Sequence, residues 1–391
     1  MKIGFIGIGK LGKDVAEVIS EKHEVIGYDV RSNIETSIQI TNNLEEACVN
    51  KDIVFIAVPT PHQVEYDGKY PTSHLPPKDF DYSIVKDVVS KVDKFLNKKT
   101  VLCLISTVLP GTVRREIKPL IKNGRFIYNP YLIAQGTVKW DMQNPEMVIL
   151  GTEDGEETDL VKEIKDFYID LIDDSNLRIE LGTWEEAESI KIFYNTFITA
   201  KLCLVNMIQD AAQKIGNINV DVVTNALKDS KKRIMGPSYM RAGFGDGGGC
   251  HPRDNIALRW LAEEFSFGYD FFSSIMKIRE MQAKNMAEEC AKHNLDVVII
   301  GKSFKPGLKD QEEGSPSILV GYYIKHINKN LNVFYETAPN NESPYTYLIH
   351  DNLEIDKFNF NKNSTILDPY RSFKSNRADL TIIHYGNSRN I

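Results

Sequence analysis

The sequence predicts an α/β protein with an N-terminal doubly wound domain, a long central helix opening a helical region, and a second α/β domain at the C-terminus. Three observations carry this. Near-continuous apolar runs such as Ile53-Val54-Phe55-Ile56-Ala57-Val58 alternate with helical patterns early in the chain, as parallel strands covered on both faces require. The segment from Thr183 to about Gly216 contains neither proline nor internal glycine, and is long for a globular helix. Strand-and-helix alternation then resumes at Asp296-Val297-Val298-Ile299-Ile300. The expected divisions are residues 1–182, 183–294 and 295–391.

Lys2 to Ile6 reads as a buried strand, followed at once by Gly7-Ile8-Gly9-Lys10-Leu11-Gly12 and a helical stretch from Lys13 to Ser20. A second apolar run, Val25-Ile26-Gly27-Tyr28, ends in Asp29. Strand, GxGxxG, helix, strand and acid in this order form the dinucleotide fingerprint of a Rossmann domain. Gly7 makes the tight turn, Gly9 admits the pyrophosphate to the backbone, and Gly12 lets helix and strand pack closely. The helix N-terminus, with Lys10 and Leu11 at its entry, offers unpaired N–H donors to phosphate. Asp29 accepts from ribose hydroxyls and repels a 2′-phosphate, which favours NAD over NADP; Arg31, two residues on, tempers that preference.

Further strand candidates are Ile53–Val58, Thr100–Ile105, Arg125–Tyr128 and Val148–Leu150, with helical patterns at Ser83–Leu96 and Glu156–Leu171. In open α/β sheets the ligand lies at the carboxyl ends of strands. The turns Val58-Pro59-Thr60-Pro61 and Ser106-Thr107 are therefore expected to face the cofactor; ordinary turn chemistry is the competing reading. Thr183-Trp184-Glu185-Glu186 is a capping box for the long helix. Lys191 and Asn195 follow at i,i+4 spacing and emerge from one face of it.

Gly243 to Asp254 holds five glycines in twelve residues and ends its glycine run in Cys250. Such a loop can hold a phosphate or sugar against a nucleophile, or be a mobile turn with a chance cysteine. A helix is expected from Asn255 to Phe265, another from Phe271 to His293, and a third from Pro316 to Ile327. Asn332–Tyr335, Ser364–Leu367 and Leu380–His384 read as strands of the last domain.

Composition narrows the classes of function. The 391 residues carry a formal charge of −7, and the absence of a basic run argues against nucleic acid. No apolar stretch reaches the roughly 20 residues of a membrane span. The N-terminus lacks a signal-peptide shape. The five cysteines are odd in number and show no CxxC spacing, so reduced thiols in a cytoplasmic protein are expected, and no metal site.

Taken in order, Val58-Pro59-Thr60-Pro61, Ser106-Thr107-Val108-Leu109-Pro110-Gly111-Thr112, Ala187-Glu188-Ser189-Ile190-Lys191 with Asn195, Gly247-Gly248-Gly249-Cys250-His251-Pro252-Arg253-Asp254 and Gly301-Lys302-Ser303-Phe304-Lys305 resemble the UDP-glucose/GDP-mannose dehydrogenase family. The resemblance spans nearly the whole chain. It implies a four-electron oxidation of the C6 alcohol of a nucleotide sugar by two NAD, through a thiohemiacetal and thioester on Cys250. Lys191 and Asn195 would stabilise the oxyanion, and Thr107 and Asp254 would hold water or assist proton transfer. It assigns substrate contacts to Tyr131, Leu132, Gln135, Gly243, Gly245, Gly247, Phe304 and Lys305. UDP-glucose is the expected sugar nucleotide, because Gly249 precedes Cys250 and His251 follows it, unlike the Gly-Gly-His-Cys order of the N-acetylhexosaminuronate branch. GDP-mannose or another NDP-hexose is the alternative. A two-electron hydroxyacid dehydrogenase and an NAD-binding scaffold without turnover are the readings from other classes. The apolar residues of the long helix point to a homodimer.

The sequence departs from the family at several positions. Its Asn-Pro-Glu-Phe-Leu-x-Glu-Gly motif stands here as Asn129-Pro130-Tyr131-Leu132-Ile133-Ala134-Gln135-Gly136, so Tyr131 and Gln135 replace two glutamates. Glu312 stands where an arginine is usual, and Arg253 where many members carry lysine.

Overall fold

The central strands of this chain, such as Ile53–Ile56, Val101–Leu104 and Val297–Ile300, are short and wholly apolar, so their sheets must lie between helical layers. In the computed structural model, which describes all residues except 32, 62–63, 67–68, 70, 247, 306, 308–310, 354 and 389–391, this is the arrangement. Internal contacts divide the chain into two compact units, Met1–Leu202 and Cys203–Ile391.

The first unit contains β1 (Lys2–Ile6), α1 (Gly12–Ser20), β2 (Glu24–Tyr28), β3 (Gln39–Thr41), α2 (Leu44–Cys48) and β4 (Ile53–Ile56). There follow α3 (Ser83–Asp93), β5 (Val101–Leu104), β6 (Arg125–Tyr128), α4 (Val138–Gln143), β7 (Val148–Thr152), α5 (Asp159–Ile172) and β8 (Ile179–Thr183). The sheet order is β3-β2-β1-β4-β5-β6-β7-β8. Strands β3 to β6 of that order run parallel, and the β6–β7 pair is antiparallel. Every residue of β4 is fully buried, and each such side chain contributes about 1.5–3 kcal/mol relative to exposure. The strand order reverses beside β1: β2 and β3 lie on one side and β4 on the other. A cleft opens at that point, at the carboxyl ends of β1 and β4.

Helix α6 (Trp184–Ile215) leaves β8 and extends across the division of the two units. The expected capping box is formed: the Thr183 N–H donates to a Glu186 carboxylate oxygen at 2.9 Å, and the Glu186 N–H donates to Thr183 Oγ1 at 3.3 Å.

The second unit continues with α7 (Val220–Lys228), α8 (Cys250–Glu264), α9 (Phe271–Ala291), β9 (Val297–Ile300), α10 (Pro316–Ile327), β10 (Val333–Tyr335), β11 (Thr346–Ile349), β12 (Thr365–Asp368) and β13 (Thr381–His384). Its sheet is wholly parallel, in the order β10-β9-β11-β12-β13. The reversal lies between β9 and β11, which places the loop after Ile300 at the carboxyl edge where a ligand of such a sheet belongs. The α/β class and the two-sheet arrangement are as the sequence predicts. Three strands are additional to that reading: β3, β8 and β11. Among the described residues no helix is long and apolar enough to cross a membrane, and no cluster of His, Cys, Asp or Glu could hold a metal ion.

Candidate active site

The fingerprint turn follows its physics closely. Gly7 has φ +100, and a Cβ there would come within 2.5 Å of the Ala57 carbonyl. A Cβ on Gly12 would meet the Gly7 carbonyl at 2.0 Å. Both glycines are thus required by close backbone approach. A Cβ on Gly9 would instead project into open space, its nearest neighbour being Arg31 Nη2 at 3.9 Å. That is the cradle a pyrophosphate needs, at the N-terminal turn of α1 with its unpaired N–H groups.

Around this turn is a cleft of about 750 Å³. Gly7, Gly9, Lys10, Leu11, Gly12, Asp29, Val58, Pro59, Thr60, Ser106 and Thr107 line it, together with Tyr131, Gln135 and Lys191. All the residues assigned to the cofactor from sequence therefore meet in one place. The β4 and β5 turns are stitched to each other. The Ser106 hydroxyl donates to the Val58 carbonyl at 2.7 Å and accepts the Val58 N–H at 3.1 Å, while Thr60 Oγ1 donates to the Thr107 carbonyl at 2.6 Å. Asp29 ends β2 at the far side. Burial pushes its carboxyl up, but hydrogen bonds and charge from Arg31 outweigh this and hold it below the usual range. Cradle, anion-binding helix end and ribose acceptor fit NAD, which would be held by Gly7–Gly12, Asp29 and the Val58–Thr60 and Ser106–Thr107 turns.

Lys191 is buried on α6, and its Nζ donates to the Tyr131 carbonyl at 2.7 Å. Burial lowers its pKa, since the charged form loses water. Asn195, one turn on, is exposed. The carbonyl of Tyr131 is what serves the site. Its phenol is buried and shares a 2.6 Å hydrogen bond with the Tyr168 hydroxyl, which in turn donates to Asn129 Oδ1. The physical reason is that an aromatic ring adds to the apolar core beneath β6, where the family carries a carboxylate that would need water. Leu132 packs on the neighbouring part of the core. Gln135 is exposed at the cleft edge.

Sequence reasoning did not single out the role of Glu188. It is fully buried on α6, one turn before Lys191. Its carboxylate accepts the N–H groups of Gly111 at 2.5 Å and Val113 at 2.6 Å, and so ties the Ser106–Thr112 turn to the helix that carries Lys191. An acid at i−3 from a functional lysine was the available signal. Burial raises its pKa from 4.5 to about 7, outweighing the two N–H donors. The folded protein therefore holds this proton between pH 4.5 and 7, where the unfolded chain has lost it. Its contribution is complete below pH 4.5 and is lost as pH rises through 7. Glu188→Gln removes the titration. In denaturant melts the wild-type-minus-variant stability should fall by up to about 3 kcal/mol between pH 4.5 and pH 8. A gap constant with pH would refute this.

In the second unit Cys250 is exposed and opens α8. The helix begins five residues before the expected start at Asn255, because Gly248, with φ +98, ends the loop and Gly249 is the N-cap. Pro252 is accommodated because the first turn needs no donor there. Cys250 thus stands at a helix N-terminus, where the helix dipole favours developing negative charge. Asp254 lies inside the helix, so the cap role that an Asn255 start would give it does not apply. Arg253 Nη2 lies 2.8 Å from Asp254 Oδ1, and the pair follows Cys250 within the first turns of α8.

The glycine loop is anchored through Asp246, whose carboxylate receives Arg279 Nε at 2.6 Å. Gly243 packs so closely on Tyr370 that a Cβ would come within 2.5 Å of the ring, whereas Gly245 faces open space. Gly247 lies outside the described residues. Phe304 stands 3.4 Å from the Cβ position of Gly248, and Lys305 is exposed. Glu312, where the family has arginine, is paired with Lys302 Nζ at 2.5 Å, so its charge is balanced within the same loop.

Fold and cleft define a dinucleotide-binding protein built of two α/β units. Residues 30–169 match the profile of the UDP-glucose/GDP-mannose dehydrogenase family, NAD binding domain, and residues 185–281 that of the family's central domain. The chain belongs to the UDP-glucose/GDP-mannose dehydrogenase family, and is an NAD-binding enzyme of that family. It is 27% identical over 325 residues to a UDP-glucose 6-dehydrogenase of Rickettsia prowazekii, covering 80% of this chain and 69% of that protein. It is 27% identical over 377 residues to a GDP-mannose 6-dehydrogenase of Pseudomonas aeruginosa, covering 85% and 82%. A crystal structure described as a ternary complex of GDP-mannose dehydrogenase from the same species shares the fold, with a TM-score of 0.80, 22% identity, and coverage of 98% of this chain and 99% of that one.

Proposed function

We propose that this chain oxidises the C6 alcohol of a nucleotide-linked hexose to the carboxylate in two two-electron stages, with Cys250 as the covalent nucleophile. The observation that carries the reading is Cys250 itself: an exposed thiol at a helix N-terminus, beside a cation and four residues before a carboxylate. NAD bound in the first unit's cleft supplies the hydride acceptor. Lys191 and Asn195 donate to the C6 oxygen and stabilise negative charge on it. Cys250 Sγ adds to the C6 carbonyl of the aldehyde stage, and the carbonyl oxygen takes up a proton, giving a thiohemiacetal. At the oxidised, thioester stage, water held by Thr107 and Asp254 adds to C6, Asp254 accepts its proton, and the C–S bond breaks to release the carboxylate.

UDP-glucose is the substrate we favour, from the Gly249-Cys250-His251 order and the relatives so named. GDP-mannose is the second reading, favoured by the equal identity of the Pseudomonas relative over a larger share of both chains. A panel of UDP- and GDP-sugars assayed for NADH release and product mass decides between them. Two NADH per sugar are expected. One NADH per sugar would indicate a two-electron alcohol dehydrogenase, and none a scaffold.

The assembly we propose is a two-fold dimer through α6. Phe193, Phe197, Leu202 and Leu204 are exposed at 56%, 61%, 57% and 44%, more apolar surface on one helix than a monomer keeps in water. Light scattering at micromolar concentration should give twice the 44.4 kDa chain mass. A 44 kDa species would reject the dimer.

A further inference from the structure

Asp29 is the residue that should exclude a 2′-phosphate, but here it is not a free carboxylate. Arg31 Nε donates to Asp29 Oδ1 at 3.0 Å, Arg31 Nη2 to Oδ2 at 3.2 Å, and the Arg31 backbone N–H to Oδ1 at 2.9 Å. The same Nη2 donates to the Ile8 carbonyl at 2.8 Å, inside the fingerprint turn. Three anchors on two separate segments hold the guanidinium beside Gly9, and both Asp29 and Arg31 line the cleft. Because the Arg31 side chain is 59% exposed, an ion pair of this kind adds little to stability. Its consequence is electrostatic: the acid and base together carry no net charge at the ribose end of the cleft. Arg31 Nη1 keeps its two N–H donors without a protein partner among the described residues, in the fork geometry that suits phosphate.

We infer that Arg31 sets the ribose selectivity of the cofactor site, and that this chain also takes NADP⁺, with the 2′-phosphate received by the Arg31 guanidinium. NAD⁺ remains the better ligand, because Asp29 keeps lone pairs for the ribose hydroxyls. The guanidinium cancels the repulsion that an unpaired Asp29 would exert on the phosphate. The effect is confined to the cofactor site and does not depend on which sugar the enzyme oxidises.

The test is binding, which is independent of the sugar. Dissociation constants of NAD⁺ and NADP⁺ are measured by calorimetry at about 50 mM salt for wild type, Arg31→Ala and Asp29→Asn. The NADP⁺-to-NAD⁺ ratio of the constants cancels any loss of folded protein. In wild type the ratio should be below about 100. Arg31→Ala should raise it at least tenfold, chiefly by weakening NADP⁺, and Asp29→Asn should lower it. The NADP⁺ constant of wild type should also weaken more steeply with salt than that of the Arg31→Ala protein. A wild type that does not bind NADP⁺, or a ratio unchanged by Arg31→Ala, overturns the inference. Failure of every sugar tested to turn over leaves the binding ratio, and hence this inference, intact.

Discussion

A Cys250→Ser variant is expected to lose carboxylate production by about 10⁴-fold or more, the scale at which removal of a covalent nucleophile is felt. NAD binding, which uses the first unit's cleft, should be unchanged. A serine ester is harder to form from the aldehyde stage and slower to hydrolyse than a thioester. The variant should therefore release at most the products of the early stage. Cys250 is exposed, so the substitution creates no cavity, and a circular dichroism melt within a few degrees of wild type is expected. The positive counterpart is covalency in the wild-type protein: rapid quench of a single turnover should reveal a sugar-nucleotide adduct by intact mass, absent from the serine variant. Near-wild-type turnover by Cys250→Ser would remove the thioester route altogether and leave the glycine loop as a binding element.

The second large effect is expected at Asp254. Neither Tyr131 nor Gln135 can act as a carboxylate base, and Tyr131 directs its phenol into the core. In the proposed route, hydrolysis then rests on Asp254 as the base. Asp254→Asn keeps the size of the side chain but removes the base, and the rate should fall by about 10²–10⁴. Because both oxidations precede hydrolysis, the adduct on Cys250 should accumulate in this variant and the first NADH pair should appear as a burst. Stability should change by less than about 1 kcal/mol, since Asp254 is an exposed partner of Arg253 and not the helix cap. A structural role limited to holding Arg253 against Cys250 would slow adduct formation and hydrolysis alike, and no adduct would build up. The presence or absence of the trapped species therefore separates a base from a positioning group.

Both effects concern residues whose chemistry could be read locally. The glycines at 7, 9 and 12, the acid at 29, the turns after the strands ending near 56 and 104, the Lys191–Asn195 pair and the Cys250 loop are short-range patterns. Each is legible because the backbone constraint or helical spacing that defines it spans only a few residues. The apolar strands and the α/β class were readable for the same reason: a strand buried on both faces declares itself by composition. The three strands that were not read, β3, β8 and β11, are three to five residues long.

What tertiary structure alone decided are contacts between residues far apart in the chain. Lys191 finds the Tyr131 carbonyl 60 residues away, and Glu188 finds the Gly111 and Val113 N–H groups 77 and 75 residues away. No local pattern encodes these partners, because they depend on how α6 packs against the β5 turn. The fate of the substituted positions was likewise undecidable from sequence. Tyr131 is buried because Tyr168 offers its ring a hydrogen-bonding partner in the core, and Glu312 is neutralised because Lys302 lies across the loop. The start of α8 at Cys250 rather than Asn255 turns on the left-handed backbone of Gly248, which glycine permits and its presence in a sequence does not require.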